Sequence, residues 1–225
     1  MDEQRLHKKL LIIGAGGLGR EVKWLIERIN AKNKKSDSSK IWELAGFIDD
    51  GIETGILIDG IPVVGNVSSL LLYEEPIFVV CSIANSQTRE RILQQLTASP
   101  YLYFPNLIDP SAIISKDLKM GKGNIICAGC VLTINISFQD FNIINPACTV
   151  GHDTVIGNLI TVYPGANIAG NITIGDQSEL GTGCQIIQGI TIGSDTIVGA
   201  GAVVIRDLPG RCTAVGNPAK VIKSW

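Results

Sequence analysis

The sequence is poor in charged and aromatic residues, and each shortage excludes a class of partner. Charged residues make up 18% of the 225 residues, and aromatic residues make up 5%. Lys and Arg number 19 against 21 Asp and Glu, which gives a formal net charge of −2. Nucleic-acid binding would need a basic excess, and stacking on bases would need aromatic side chains. We therefore expect no nucleic-acid partner. The hydrophobic fraction of 45% is typical of a folded chain with a sizeable core.

Long apolar runs, paired cysteines and clustered histidines are also missing. No apolar run reaches the ~18 residues that a membrane-spanning helix needs, so we expect no membrane partner. The six cysteines are scattered, which favours free buried thiols in a cytoplasmic protein. Cys127-x-x-Cys130 has no second half, and the chain has only 2 His, so no metal site is predicted. Of the two histidines, His7 lies in a polar N-terminal tail and is expected to be inert.

The N-terminal half alternates strand and helix patterns. Strands are predicted at Lys9–Ile13, Leu44–Ile48 and Ile77–Cys81, and helices at Leu18–Ala31 and Gln87–Leu96. The lysine-rich stretch Ala31–Lys40 is interpreted as a solvated loop. This β-α-β order predicts a small, Rossmann-like parallel α/β sheet as a first domain over residues 1–106.

A period of six dominates the second predicted domain, residues 107–225. Steps of six from Ile108 to Val204 meet an apolar residue at all seventeen positions. Such a period fits a parallel β-helix, in which three hexads form one coil and the apolar residues point inward. Glycine follows seven of the inward residues, and we expect it there because it permits backbone torsions that a side chain would block. These glycines are Gly121, Gly151, Gly157, Gly175, Gly181, Gly193 and Gly199.

These hexads, with Gly14-x-Gly16-x-x-Gly19 near one end and Gly216-Asn217-Pro218-Ala219-Lys220 near the other, resemble a known enzyme family over nearly the whole chain. It is the sugar O-/N-acyltransferase family, which includes sialic acid O-acetyltransferases and N-acetyltransferases of nucleotide-linked 4-amino-4,6-dideoxy sugars. The resemblance implies a left-handed β-helix, although ordinary crossovers favour the right hand. It also implies a homotrimer, acetyl-coenzyme A in the cleft between neighbouring β-helices, and a nucleotide sugar on the N-terminal domain.

His152 and Asp153 are the residues expected to carry the chemistry. His152 lies two positions after inward-facing Val150, so its side chain should lie outside the prism. Imidazole can take a proton from an attacking amine or hydroxyl near neutral pH. The family motif has a catalytic histidine followed by an acid at this point, which Asp153 matches, and Asn145 matches a family position near the site. Adjacent strand residues point to opposite sides, so a contact between His152 and Asp153 needs a bend or a partner subunit.

The resemblance also assigns residues to the acetyl donor. Gly170 matches a family glycine whose amide stabilises the thioester oxygen as it becomes negative; the alternative is that it only relaxes a corner. Gly216, Pro218 and Lys220 match the segment that closes the coenzyme A cleft. Lys220 either meets a phosphate there or is simply solvated.

The sugar nucleotide is assigned to the N-terminal domain. The turn containing Gly14, Gly16, Gly17 and Gly19 follows a strand and precedes a helix, where bare amides suit a diphosphate. Asp49 and Asp50 follow the second predicted strand, where an acid can bind a ribose or a base donor, although Asp50 is equally well explained as a turn residue. Asn85 and Arg89 belong to a segment that resembles the family's pocket lining.

The sequence therefore predicts an N-acetyltransferase for a nucleotide-linked 4-amino sugar, with direct attack assisted by His152. Many relatives have His where this chain has Leu18, and some have a second His at Thr161, so the acceptor stays open and sugar O-acetylation is the alternative. A non-catalytic β-helix scaffold is a remote third reading. An NAD-dependent oxidoreductase would need a catalytic domain where the hexads lie. A β-helix carbonic anhydrase would need three zinc-binding histidines.

Overall fold

The computed structural model describes residues 7–35 and 41–225, and the chain divides into two compact units, Met1–Pro110 and Ser111–Trp225. The first unit contains a mainly parallel sheet with the strand order β3-β4-β2-β1-β5-β6. Its strands are β1 (His7–Ile13), β2 (Ile41–Ile48), β3 (Leu57–Ile58), β4 (Ile61–Gly65), β5 (Ile77–Cys81) and β6 (Leu102–Tyr103). Its helices are α1 (Gly17–Lys35), the 3-10 helix η1 (Val67–Leu72) and α2 (Ser86–Leu96).

The central strand β1 is the core of this unit. Leu10, Leu11, Ile12 and Ile13 are at most 1% exposed, because β1 pairs in parallel with β2 on one side and with β5 on the other. A strand covered on both faces is expected to be continuously apolar rather than alternating. The predicted strand over Lys9–Ile13 is therefore confirmed.

Helix α1 is longer than the sequence pattern indicated. It continues to Lys35, so the loop interpretation of residues 31–35 is wrong, while residues 36–40 lie outside the described residues. Lys32, Lys34 and Lys35 form its last turn, where positive charge interacts favourably with the helix dipole. Asn30 also fixes this end, since its side chain both donates to the Trp42 carbonyl and accepts from the Trp42 amide.

Nearly all of the remaining strands are two residues long and stack in register. They are β7 (Leu107–Ile108), β8 (Ile113–Ile114), β9 (Lys119–Met120), β10 (Ile125–Ile126), β11 (Val131–Leu132), β12 (Ser137–Phe138), β13 (Ile143–Ile144), β14 (Thr149–Val150), β15 (Val155–Ile156), β16 (Thr161–Val162), β17 (Asn167–Ile168), β18 (Thr173–Ile174), β19 (Glu179–Leu180), β20 (Gln185–Ile186), β21 (Thr191–Ile192), β22 (Ile197–Val198) and β23 (Val203–Val204). The chain ends in an antiparallel hairpin of β24 (Cys212–Val215) and β25 (Lys220–Ser224).

Three parallel sheets form the faces of a prism in the second unit. They have the orders β23-β20-β17-β14-β11-β8, β21-β18-β15-β12-β9, and β24-β22-β19-β16-β13-β10 with β25 at its end. Ile125 pairs with Ile143, and Val131 pairs with Thr149, in each case 18 residues further on. One coil therefore takes three hexads, as the period of six predicts.

Two rows of side chains fill the prism. The hexad residues from Ile126 to Val204 are at most 3% exposed, which confirms their inward direction. A second buried row, which the sequence analysis missed, lies two residues before each of them and consists mostly of small residues. It includes Cys130, Cys148, Thr154, Ala166, Ser178, Cys184 and Thr196. All six cysteines are free and buried, as predicted.

The glycines that follow the inward residues are required for space rather than for torsion. Positive φ occurs three positions after an inward residue, as at Asn135 (54°) and Asp153 (57°), so the torsion explanation is wrong. A Cβ on Gly151 would lie 2.6 Å from the Gly170 nitrogen, and one on Gly181 would lie 2.6 Å from the Ala200 nitrogen. Both atoms belong to the backbone of the next coil, which cannot move aside without breaking its own hydrogen bonds.

The helices of the described residues were also compared with the thickness of a bilayer. In residues 7–35 and 41–225, no helix combines enough length with enough apolar character to cross a membrane.

Replacing Gly181 tests the role of close coil packing. Gly181→Ala should lower the free energy of unfolding by about 3 kcal/mol, the upper range for overpacking, because its Cβ meets backbone on the next coil. Gly183→Ala is the matched control. Gly183 has open space but a φ of 67°, so only the left-handed conformation is penalised, at about 1 kcal/mol. Urea titration of both variants measures the difference, and equal losses would contradict the packing explanation.

Candidate functional site

His152 and Asp153 lie at the corner that follows β14, outside the prism. The backbone turns into the left-handed region at Asp153, and this bend brings two adjacent side chains together. The Nδ1 atom of His152 is 2.8 Å from Oδ2 of Asp153. Both side chains are about half exposed, at 48% and 52%. The contact is therefore made within one chain, through the bend.

Asn135, one coil earlier at the same corner, holds the other oxygen of Asp153. Its Nδ2 donates to Asp153 Oδ1 at 2.5 Å. Hydrogen bonds from Asn135, and then from His152, lower the pKa of Asp153 below its ordinary value. An ionised Asp153 can only accept, so Nδ1 of His152 is the donor and Nε2 keeps its lone pair. The sequence analysis missed Asn135, although its spacing of one 18-residue coil from Asp153 could have indicated it.

Gly170 lies against the imidazole of His152. A Cβ at this position would be 2.5 Å from Nε2 and 2.7 Å from Cε1. The backbone N–H of Gly170 donates no hydrogen bond to the part of the chain that the structure describes. Glycine here thus leaves room for the histidine ring and presents a free amide beside its proton-accepting nitrogen.

Asn145 and Thr161 are positioned differently from His152. Asn145 follows β13 at another corner of the prism, is 6% exposed, and donates from both its backbone N and its Nδ2 to the Val162 carbonyl. Its side chain therefore fixes the neighbouring coil. Thr161 is fully buried in β16. The structure brings together His152, Asp153 and Gly170, and it does not join Asn145 to them.

Gly216, Pro218 and Lys220 lie together at the turn between β24 and β25. The Gly216 carbonyl accepts from the Val203 amide at 3.0 Å, and the Ala219 amide donates to the Val203 carbonyl at 2.8 Å. Gly216 has a φ of 98°, a conformation that glycine adopts readily. The turn is thus fixed against β23, and Lys220 is exposed.

The glycine-rich turn occupies the carboxyl end of β1, between the ends of β2 and β5. This is the point at which the strand order reverses, where ligands of open α/β sheets bind. A Cβ on Gly19 would lie 1.9 Å from the Gly14 carbonyl oxygen, so Gly19 allows α1 to pack against the turn. Gly16 and Gly17 have no atom within 4 Å in the Cβ direction. Their backbone is open to a ligand.

Two cavities adjoin this turn. One of about 210 Å³ is lined by apolar Ile13, Ile48, Val67, Ile83 and Ile92 together with Gly14, Asp49, Asp50, Gly51 and Thr88. The other, of about 370 Å³, is lined by Ala15, Gly16, Arg20, Leu57, Ile58 and Asp59. Arg20, in the first turn of α1, is the one cationic side chain among these lining residues, and the sequence analysis did not select it.

The acidic residues after β2 hold the loops around the cavities. Asp49 accepts from the Ala15 amide through Oδ2 and from the Gly51 amide through Oδ1, both at 2.9 Å. Asp50 accepts from the Val67 amide at 2.8 Å, just where η1 begins. Both line the smaller cavity, and both also serve as turn residues.

Asn85 and Arg89 shape the loop after β5. Asn85 caps α2 by accepting from the Thr88 amide at 2.9 Å. Arg89 is 1% exposed, and its Nη1 donates to the Ile83 and Ala84 carbonyls. The loop that they hold presents Ile83 and Thr88 to the smaller cavity. As for metals, residues 7–35 and 41–225 contain no group of three or more His, Cys, Asp or Glu that could hold an ion.

Comparison with known families matches both halves of the chain. A family model described as the PglD N-terminal domain matches residues 9–96. A second, described as the bacterial transferase hexapeptide (six repeats), matches residues 171–206. A search of curated proteins found no match.

Several solved structures are similar over nearly the full length. The acetyltransferase domain of PglB from Neisseria gonorrhoeae, in complex with acetyl coenzyme A, has 31% identity and a TM-score of 0.84, with 96% of this chain and 100% of that chain covered. A histidine mutant of perosamine N-acetyltransferase from Caulobacter crescentus, in complex with CoA and GDP-perosamine, has 30% identity and a TM-score of 0.82, with 96% and 97% covered. WeeI from Acinetobacter baumannii has 31% identity and a TM-score of 0.82, with 96% and 100% covered.

The hydrogen-bonded carboxylates at the His152 corner predict a loss of stability in acid. The pKa of Asp117 is lowered by Ser115 and by the Asn135 amide, and that of Asp153 is lowered by Asn135 and His152. Their contribution is complete above the unfolded pKa of about 4 and is lost as the pH falls towards the lower folded values.

Thermal unfolding between about pH 6 and pH 3 measures this effect. The Tm should fall through this range, and the fall should be smaller in Asp117→Asn, which keeps an acceptor but cannot titrate. An unchanged slope in that variant would contradict the assignment.

Proposed function

Since this chain belongs to the hexapeptide-repeat family of sugar acyltransferases and is a left-handed β-helix acyltransferase, we propose that it N-acetylates a nucleotide-linked 4-amino-4,6-dideoxy sugar with acetyl-coenzyme A. The observation that carries the proposal is the pairing of His152 with Asp153 next to the open amide of Gly170. The similar structures support the ligand classes. One holds acetyl coenzyme A, and another, a perosamine N-acetyltransferase, holds CoA and GDP-perosamine.

In the proposed reaction His152 acts as the general base. The sugar amine attacks the thioester carbonyl, a C–N bond forms, the C–S bond breaks, and the amine's proton passes to Nε2 of His152 and then to the departing thiolate. Asp153 accepts from Nδ1 and stabilises the imidazolium that forms. The Gly170 amide donates to the carbonyl oxygen as it becomes negative.

Direct attack fits the surroundings of His152 better than a covalent acyl-enzyme does. An acyl-enzyme needs a nucleophile within hydrogen-bond reach of the base. All six cysteines are buried, and the partner recorded for the His152 ring is Asp153. The acceptor amine is thus the group that His152 would activate.

The two ligands would bind at opposite halves of the chain. The amides at the start of α1 and the Arg20 side chain suit a diphosphate, and the smaller apolar cavity with its two carboxylates suits the nucleoside. Acetyl-coenzyme A would lie along the prism beside His152, with the turn of Gly216, Pro218 and Lys220 closing its cleft.

A homotrimer would complete the cleft for acetyl-coenzyme A. Ile134 and Ile187, on the coils before and after the His152 corner, are 60% and 44% exposed, and such apolar residues suit burial between copies. Light scattering tests this assembly, since a trimer has about three times the chain mass of 24.0 kDa.

Thiol release from acetyl-coenzyme A tests the reaction itself. Among nucleotide-linked amino sugars and their hydroxyl analogues, we expect turnover with a 4-amino acceptor. His152→Ala should lose about 10²–10⁴-fold in kcat because the proton has no acceptor. Lys116→Ala is the control, since Lys116 is exposed at the same corner two coils earlier. Turnover of hydroxyl acceptors alone would refute N-acetylation, and a His152→Ala variant within threefold of wild type would remove His152 from the mechanism.

Changes at Gly16 and Gly170 test the division between the two halves. A side chain at Gly16 projects into the larger cavity, so Gly16→Val should raise KM for the sugar nucleotide at least about tenfold and leave KM for acetyl-coenzyme A nearly unchanged. Gly170→Ala should chiefly lower kcat, because its Cβ displaces the His152 ring. If Gly16→Val weakened coenzyme binding alone, the ligands would be assigned to the wrong halves.

A further inference from the structure

We propose that Asn135 is a positioning residue for His152, acting through Asp153; this rests on the proposed function, in which His152 is the base. Asn135 lies one coil before Asp153, on the same corner of the prism. Its side chain donates to the oxygen of Asp153 that does not face His152. The carboxylate is thus held between two donors.

This second donor fixes the direction of the carboxylate. A carboxylate with one donor can rotate about its Cβ–Cγ bond, whereas Asp153 bonds to Asn135 through Oδ1 at 2.5 Å and to His152 through Oδ2 at 2.8 Å. With both oxygens engaged, Oδ2 stays opposite Nδ1. The proton of neutral His152 is then held on Nδ1, and Nε2 faces Gly170 as the acceptor.

Asn135 is itself held by the coil before it. Its backbone amide donates to Asp117 Oδ2 at 2.9 Å, and the other oxygen of Asp117 accepts from the Ser115 hydroxyl. Ser115, Asp117, Asn135, Asp153 and His152 therefore form a continuous hydrogen-bonded ladder over three coils. The ladder ends at the nitrogen that would accept the proton.

A purely conformational role for Asn135 makes a different prediction. Asn135 has a φ of 54°, and asparagine is common there because it tolerates the left-handed region. Glycine and aspartate tolerate the same torsion. If conformation were the only requirement, both Asn135→Gly and Asn135→Asp would keep wild-type kcat. If the donated hydrogen bond matters, both lose it, and Asn135→Asp also places a second carboxylate against Asp153.

Kinetics of these two variants, with Asn171→Gly as the matched control, test the proposal. Asn171 lies one coil after Asp153 with a φ of 57°, and its backbone amide donates to the His152 carbonyl, a bond that glycine keeps. We expect kcat to fall about tenfold or more in both Asn135 variants, the size of effect that supporting hydrogen bonds have on active-site histidines, with both KM values within about twofold. Asn171→Gly should stay near wild type. An equal loss of kcat in Asn171→Gly, or wild-type kcat in both Asn135 variants, overturns the proposal.

Nitrogen NMR of histidine-labelled protein gives a readout that needs no substrate. The chain has only 2 His, so His152→Ala assigns the resonances. Neutral His152 should carry its proton on Nδ1 in the wild type and in Asn171→Gly, and should become a mixture of tautomers in Asn135→Gly. An unchanged tautomer in Asn135→Gly overturns the positioning role even if no acceptor is turned over. Failure to acetylate any amino sugar, with the tautomer shift present, overturns the proposed function instead.

Discussion

Backbone hydrogen bonding between successive coils is the constraint on which the second unit depends. Each two-residue strand is too short to be stable alone, and it persists because it is paired above and below at a spacing of 18 residues. Any side chain that separates two coils removes several such bonds together. This is why glycine occupies positions such as Gly151 and Gly181, where the backbone of the next coil approaches to 2.6 Å of a Cβ.

The same constraint produces the site. A prism needs a sharp corner every six residues, and each corner places a residue in the left-handed region. Asp153 is such a residue, and the bend turns its carboxylate towards the preceding side chain rather than away from it. The repeat then places Asn135 and Gly170 on the coils immediately before and after. A structural requirement of the coil therefore also assembles an acid, a base and an open amide.

Much of this arrangement follows from the sequence, because the period of six specifies which residues point inward and hence which residues lie at corners. His152 and Asp153 could be selected by residue type and family motif. Asn135 could not, because its role depends on the 18-residue register between coils, which becomes visible only when the hexads are grouped in threes. The second buried row was missed because its Cys, Thr, Ser and Ala residues are small and partly polar, so they show no apolar period. In the first unit, lysines at the end of α1 were misread as a loop because their long side chains bury little.

The register of 18 residues also constrains how such a chain can change length. An insertion of one complete coil moves everything after it along the prism axis by about 4.8 Å, the spacing of paired strands, and leaves every side chain on its original face. An insertion of a single hexad keeps the apolar period intact and would fold equally well into a prism. It would nevertheless turn all later residues onto the next face, so that Gly170 would no longer follow His152 on the same corner. Selection for activity therefore acts on length in units of whole coils, while selection for folding alone permits units of one third of a coil.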